Sequence, residues 1–323
     1  MIAGEIVIET GNTDFCMSKG VLFDKEKITL IYYPPTKKNK TYTIPTSVSD
    51  VYATAFQDNK HLKTLKTPFW GRNISEVKSN SIQKIYIDKM SKKKFDLKES
   101  SFFPNFSSEM PKLKTIMLGK EPAHYKLVSG IVYANGGKAL AWYPSAKKDK
   151  SFRIPKKTKT DVSYLRNPYL EDIYVHAQFK FHAFDFCDLF DDSRTCLPKL
   201  KNIHVDSRNP YHTSLDGVLY NKKKTKLIYY PGNREASTYV VPHSVTTFWD
   251  SAFQDVTRKL VIKLPPMIED IMSKNYGFGT VMRKEGFKYP DYADRYKNIT
   301  FMVKKDSKTH QTLKRWEFDY KFY

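Results

Sequence analysis

The 323-residue chain holds only three cysteines, Cys16, Cys187 and Cys196. That is too few for a disulfide framework, and none stands in the paired CxxC spacing of a zinc site. Cys187 and Cys196 could bridge or remain buried thiols, and the sequence leaves both readings open. Long apolar runs are also missing. Mean hydropathy is −0.57, and no stretch of about 18 apolar residues occurs, which excludes a transmembrane helix. The opening Met1-Ile2-Ala3-Gly4-Glu5 lacks the basic, apolar and small-residue stages of a signal peptide, so either the protein stays inside or a leader precedes this chain. HExxH, GxSxG and GxxxxGK[ST] are absent. Gly277-Phe278-Gly279 lacks the third glycine of a dinucleotide loop and reads as a turn.

Acidic residues are scarce relative to basic ones, 34 Asp+Glu against 55 Lys+Arg, for a net charge of +21. Such an excess points toward nucleic acid, anionic glycan or a negative membrane surface. Most of the cations are lysines scattered along the chain, whereas bidentate base or phosphate recognition favours arginine. A solvated basic surface is the simpler reading, and no specific nucleic-acid partner is expected.

What the sequence does have is a repeat. Gly20-Val21-Leu22-Phe23 through Tyr32-Tyr33-Pro34, Gly130-Ile131-Val132-Tyr133 through Trp142-Tyr143-Pro144, and Gly217-Val218-Leu219-Tyr220 through Tyr229-Tyr230-Pro231 align. Each continues into Tyr42-Thr43-Ile44-Pro45, Phe152-Arg153-Ile154-Pro155 or Tyr239-Val240-Val241-Pro242. From Ile6/Ile203 to Asp58/Asp255 the first and third copies run without a gap, with about 21 of about 53 positions identical. Each copy predicts a β-hairpin stopped by proline, which cannot donate to a ladder. Between hairpins an L-x-x-L-x-L pattern recurs, as in Leu62–Leu65, Ile82–Ile87, Leu113–Leu118, Leu170–Val175 and Leu200–Val205. Such a unit buries its apolar side only by stacking on a neighbour.

Ile44-Pro45-Thr46-Ser47-Val48 with Ala55-Phe56, and Val241-Pro242-His243-Ser244-Val245 with Ala252-Phe253, resemble the BspA-like leucine-rich repeat. His182-Ala183-Phe184 is similar to a degenerate unit, Asp216-Gly217-Val218-Leu219-Tyr220 to the insert hairpin of these proteins, and 299–316 to their closing strand and helix. The resemblance implies a β-rich α+β fold: a leucine-rich-repeat solenoid with inserted β-hairpins and a short C-terminal capping helix. It is expected as one domain over 1–323, with repeats at about 5–67, 101–176 and 188–265 and a cap at about 298–323. Asp306 or Ser307 is placed to N-cap that helix, with Leu313 and Trp316 turned inward.

The densest reactive stretch, His176 to Asp192, holds His176, His182, Asp185, Cys187, Asp188, Asp191 and Asp192. Its spacing fits neither a zinc nor a calcium site, and the interleaved phenylalanines fit a coil packed inward. No catalytic, cofactor or metal residue is assigned. The candidate ligand-binding residues are the cations after the hairpins, Lys37, Lys38, Lys40, Lys147, Lys148, Lys150 and Arg234, with Tyr33, Tyr143 and Tyr230. Successive strand residues face opposite ways, so one of each aromatic pair is expected outside, either free to stack on a ligand or held in a cross-strand ladder. Sequons at Asn39, Asn73, Asn105 and Asn298 matter only where the source glycosylates.

The resemblance further implies a non-enzymatic adhesion protein at the bacterial cell surface. Its partner would be a host, extracellular-matrix or other cell-surface protein. An anionic-glycan binder working through the lysine tips and exposed aromatics is the alternative.

Overall fold

The computed structural model describes residues 6–68, 74, 76–88, 109–119, 125–159, 165–181, 197–249, 252–272 and 296–323. The chain forms two compact units, Met1–Lys147 with Tyr164–Asn167, and Lys148–Ser163 with Pro168–Tyr323. The pair Cys187/Cys196, the His182-Ala183-Phe184 unit, Gly277–Gly279, and the sequons at Asn73 and Asn105 lie outside the described residues.

In the first unit, strands β1 (Phe15–Ser18), β2 (Val21–Asp24) and β3 (Thr29–Tyr32) form an antiparallel meander, and β5 (Asp50–Val51) adds to β3 in parallel. β4 (Thr41–Thr43), β6 (Thr64–Thr67), β7 (Lys84–Ile87) and β8 (Thr115–Leu118) make an all-parallel sheet. A second meander follows in β9 (Tyr125–Val128), β10 (Ile131–Ala134) and β11 (Ala139–Trp142).

The second unit repeats both parts. β12 (Ser151–Arg153), β13 (Asp172–Val175) and β14 (Asn202–Val205) are parallel. β15 (His212–Leu215), β16 (Val218–Asn221) and β17 (Lys226–Tyr229) form the third meander. β18 (Thr238–Val240) pairs in parallel with β20 (Leu260–Lys263), while β19 (Thr247–Trp249) joins β17 to β21 (Asp270–Met272). β22 (Ile299–Val303), helix α1 (Lys308–Arg315) and β23 (Tyr320–Phe322) close the chain.

The hairpins expected from Gly-Val-Leu-Tyr are present, and each gains a strand in front that the repeat pattern does not mark. The link is a two-residue turn, Lys19-Gly20, Ser129-Gly130 or Asp216-Gly217, with both residues at positive φ. That is the geometry whose twist matches the flanking strands and for which Asp-Gly is favoured. All three meanders carry the same register shift, at Leu22/Phe23, Val132/Tyr133 and Leu219/Tyr220. The polar turn between the last two strands is closed by Asp24 Oδ1, which accepts from the amides of Ile28 and Thr29 at 2.7 and 2.9 Å. Asn221 Oδ1 does the same for Thr225 and Lys226, at 2.9 Å each.

The parallel sheets explain the L-x-x-L-x-L pattern. Tyr42, Leu65, Ile85 and Ile116 stand side by side, as do Phe152, Ile173 and Ile203, and then Tyr239, Ile262, Phe301 and Tyr320. Leu65, Ile85, Ile116, Ile203 and Ile262 are fully buried, each side chain contributing about 1.5–3 kcal/mol by leaving water. Buried asparagines stitch the corners. Asn59 Oδ1 accepts from the amides of His61 and Leu62, while its Nδ2 donates to the Pro34 and Lys37 carbonyls at 2.8 and 2.9 Å. Asn167 donates to the Pro144 and Lys147 carbonyls, and Asn209 to those of His176 and Phe179.

The C-terminal helix is capped by Ser307, whose hydroxyl accepts from the His310 amide at 3.1 Å; Asp306 precedes it at φ 59°. Leu313 is buried and Trp316 packs against the same core. Short parallel strands stacked at the leucine positions make this a β-rich fold of leucine-rich-repeat type.

Candidate ligand-binding surface

The tyrosines expected from sequence as ligand contacts are inside the protein. Tyr33, Tyr143 and Tyr230 are each no more than 1% exposed. The expectation of one outward aromatic per pair also fails at Trp142 and Tyr229, which are buried alongside their neighbours, and only Tyr32 is partly open. The strand alternation ends at the proline. Tyr33 and Tyr230 lie past the last strand residue and donate their amides to the Ala55 and Ala252 carbonyls at 2.9 and 2.7 Å, which turns their rings inward onto the Ala-Phe units. Tyr33 meets Tyr42 and Phe56 at ring separations of 4.8 and 5.3 Å, and Tyr230 meets Tyr239 and Phe253 at 4.9 and 5.6 Å. Burial raises the pKa of both hydroxyls. On the other face, Tyr229 hydrogen-bonds the buried Asp255 carboxylate.

The candidate cations divide into two groups. Lys37 Nζ donates to the Lys19 carbonyl at 2.7 Å and sits 5.8 Å from the Tyr33 ring centre. Arg234 donates to the Asp216 carbonyl and lies 5.7 Å from the Tyr230 ring. Lys147, at the corresponding place in the second copy, is half-buried, and its amide donates to Pro144 at 3.2 Å just as that of Lys37 does to Pro34. Lys150 pairs with Glu171 at 3.2 Å, and Glu171 also holds Lys201 at 3.0 Å. Those lysines lower the Glu171 pKa, the Lys201 hydrogen bond most. Lys38, Lys40 and Lys148 are exposed. In the third copy the place of Lys38 and Lys148 is taken by Glu235, so the tips are not uniformly basic.

The parallel sheets present a second set of residues, which sequence reasoning passed over. On the outward face, Thr43, Lys66, Tyr86 and Met117 form one row and Val240, Lys263, Met302 and Lys321 another. On β12–β14 the row is Arg153, Tyr174 and His204. The Arg153 guanidinium lies 3.9 Å over the Tyr174 ring, which stacks on His204 at 4.6 Å and 16°. Asp172 Oδ1 then receives His204 Nε2 at 2.8 Å and Asn202 Nδ2 at 3.1 Å. The signal was available in sequence, since all three occupy the polar position before the last apolar residue of a repeat unit.

Of the reactive stretch, His176 bonds the Thr158 carbonyl through Nε2 at 2.9 Å, and Phe179 and Phe181 are buried; 182–192 lie outside the described residues. Among the described residues no group of three or more His, Cys, Asp or Glu is placed to hold a metal ion. No described helix is long and apolar enough to cross a membrane.

The chain matches no family model and no curated protein. Among solved structures it is similar to a leucine-rich repeat protein from Eubacterium ventriosum, at 14% identity and TM-score 0.38, over 78% of this chain and 59% of that one. It is also similar to the pneumococcal vaccine antigen PcpA, at 14% identity and TM-score 0.34, over 82% and 67% of the two chains. A leucine rich cell surface protein from Faecalibacterium prausnitzii shares 16% identity at TM-score 0.34, over 80% and 82%. The chain thus spans less than two thirds of the first of these proteins.

Proposed function

We propose that the chain is a non-enzymatic binding protein of the bacterial cell surface, a BspA-like solenoid that recognises a protein partner through its repeat faces. The observation that carries this reading is the outward rows on the parallel sheets. Within each unit they align apolar and aromatic side chains across neighbouring strands, Met117 and Val240 being 45% and 61% exposed and Tyr86 and Tyr174 half-buried. A fixed, extended surface of that kind binds a macromolecule without large losses of side-chain freedom. The adhesion role and the surface location follow from the resemblance of the Ile-Pro-x-Ser-Val units.

The anionic-glycan alternative loses its aromatic platform, because Tyr33, Tyr143 and Tyr230 are buried. It keeps Lys38, Lys40 and Lys148, which are exposed. Binding to an array of matrix proteins and sulfated glycans, at about 50 and about 300 mM salt, separates the two readings, because exposed charge pairs are screened over about 8–10 Å. Salt-resistant capture of one protein, unchanged when Lys38, Lys40 and Lys148 become serine, supports the protein-binding face. Capture of many polyanions that disappears with salt and with those lysines replaces it with the glycan reading.

A further inference from the structure

We infer that the stacked row Arg153–Tyr174–His204 is a contact site for an acidic peptide segment of a protein partner, with Arg153 as the anchor. The inference rests on the protein-binding reading and goes further by naming a site and the chemistry it recognises.

Three observations converge on the row. Arg153 is exposed, has no acidic partner among the described residues, and places its guanidinium carbon 3.9 Å over the Tyr174 ring. A guanidinium stacked by its face keeps its N–H edges directed outward, in the fork that fits a carboxylate bidentately. The stack is prebuilt, because Tyr174 is itself braced by His204, and His204 by Asp172. Ordering the arginine on binding therefore costs little. Finally, cations outnumber carboxylates around the row. Glu171 is shared by Lys150 and Lys201, and Asp172 by Asn202 and His204. Arg153, Lys150 and Lys201 against Glu171 and Asp172 leave one positive charge in excess at the row, on a chain of net charge +21. Arginine and tyrosine also dominate the energetics of protein interfaces.

The test is fluorescence anisotropy with a labelled hexaglutamate peptide and the full chain, at about 50 and about 300 mM salt. Arg153→Ala is expected to weaken binding by about tenfold or more, and Arg153→Lys nearly as much, since lysine keeps the charge but loses the planar fork. Lys223→Ser, in an exposed hairpin turn outside the row, is expected to bind like the parent chain, and an unchanged circular dichroism spectrum for Arg153→Ala guards against misfolding. Wild-type binding by Arg153→Lys, or loss of binding in a Lys38→Ser, Lys148→Ser variant, would overturn the inference in favour of a diffuse basic field. Tighter, Arg153-dependent binding of a heparin hexasaccharide would overturn the peptide assignment. The same variants on the protein array separate this inference from the function it rests on. A captured protein indifferent to Arg153→Ala overturns the row and leaves the protein-binding reading intact. Arg153-dependent hexaglutamate binding with a silent array supports the row and removes the adhesion reading.

Discussion

Arg234 lies over the ring of Tyr230 and donates to the carbonyl of Asp216, the residue that opens the third hairpin turn. Lys37 repeats that arrangement in the first copy, over Tyr33 and onto Lys19. Both cations tie the segment after the proline back to the two-residue turn at Gly20 or Gly217, where φ is 71° and 79°. They are therefore structural. Arg234→Ala is expected to lower stability by about 1–2 kcal/mol through the lost cation–π contact and charged hydrogen bond. Lys38→Ser, at an exposed tip, is expected to stay within about 0.5 kcal/mol. Urea titration reads both, and equal midpoints for Arg234→Ala and the parent chain would remove the structural role.

The Tyr229–Asp255 pair tests how burial scales the value of one hydroxyl. Tyr229 and Asp255 are both buried, and burial with the adjacent carboxylate raises the tyrosine pKa well above its ordinary value. In the first copy, Tyr32 is half-buried and Asp58 exposed. Tyr229→Phe deprives a buried carboxylate of a donor and is expected to cost about 2–4 kcal/mol. Tyr32→Phe is expected to cost no more than about 0.5 kcal/mol. Similar losses at the two sites, by thermal or urea unfolding, would contradict the burial argument.

Repeat identity makes the hairpins, the parallel strands and the capping helix readable from the amino-acid sequence, because the same apolar pattern recurs at each copy. The extra strands β1, β9 and β15 escape that pattern because they are short and partly polar, as in His212-Thr213-Ser214-Leu215. Their signal is the turn itself, and only the third copy spells it Asp-Gly. The tyrosines are misplaced by sequence reasoning for a different reason. Period-two alternation holds within a strand, whereas Tyr33 and Tyr230 come after it and answer to a tertiary hydrogen bond. The Arg153–Tyr174–His204 row needs strand register, since its members are far apart in sequence and meet only when β12, β13 and β14 align.

Asn59 satisfies two amides and two carbonyls from a position that is 1% exposed. Asn59→Ala leaves those groups without that partner at a corner of the repeat, at an expected cost of about 2–4 kcal/mol. Asn59→Asp keeps the acceptor but loses the donors to Pro34 and Lys37, and is expected to fall between alanine and the parent chain. Amide hydrogen exchange gives a local reading: the Leu62 amide should exchange faster in Asn59→Ala than in Asn59→Asp. The same rate in both would mean that the side-chain acceptor does not protect it.

The buried tyrosines also set an alkaline limit. Burial pushes Tyr239 up to about 12, and Tyr125 and Tyr133 to about 12 as well. An unfolded tyrosine titrates near about 10. A folded pKa above the unfolded one means that the neutral form is favoured in the fold. The associated stability is therefore complete below about pH 10 and is lost as pH rises toward about 12. Tyrosinate absorbance followed against pH should rise in two phases. The first belongs to accessible rings. The second, carried by the buried rings, Tyr125, Tyr133 and Tyr239 among them, should coincide with loss of the β-sheet circular dichroism signal. A single phase near pH 10 with the sheet signal intact would show those rings open to solvent, and the inward packing of the hairpins onto the repeat units would then be wrong.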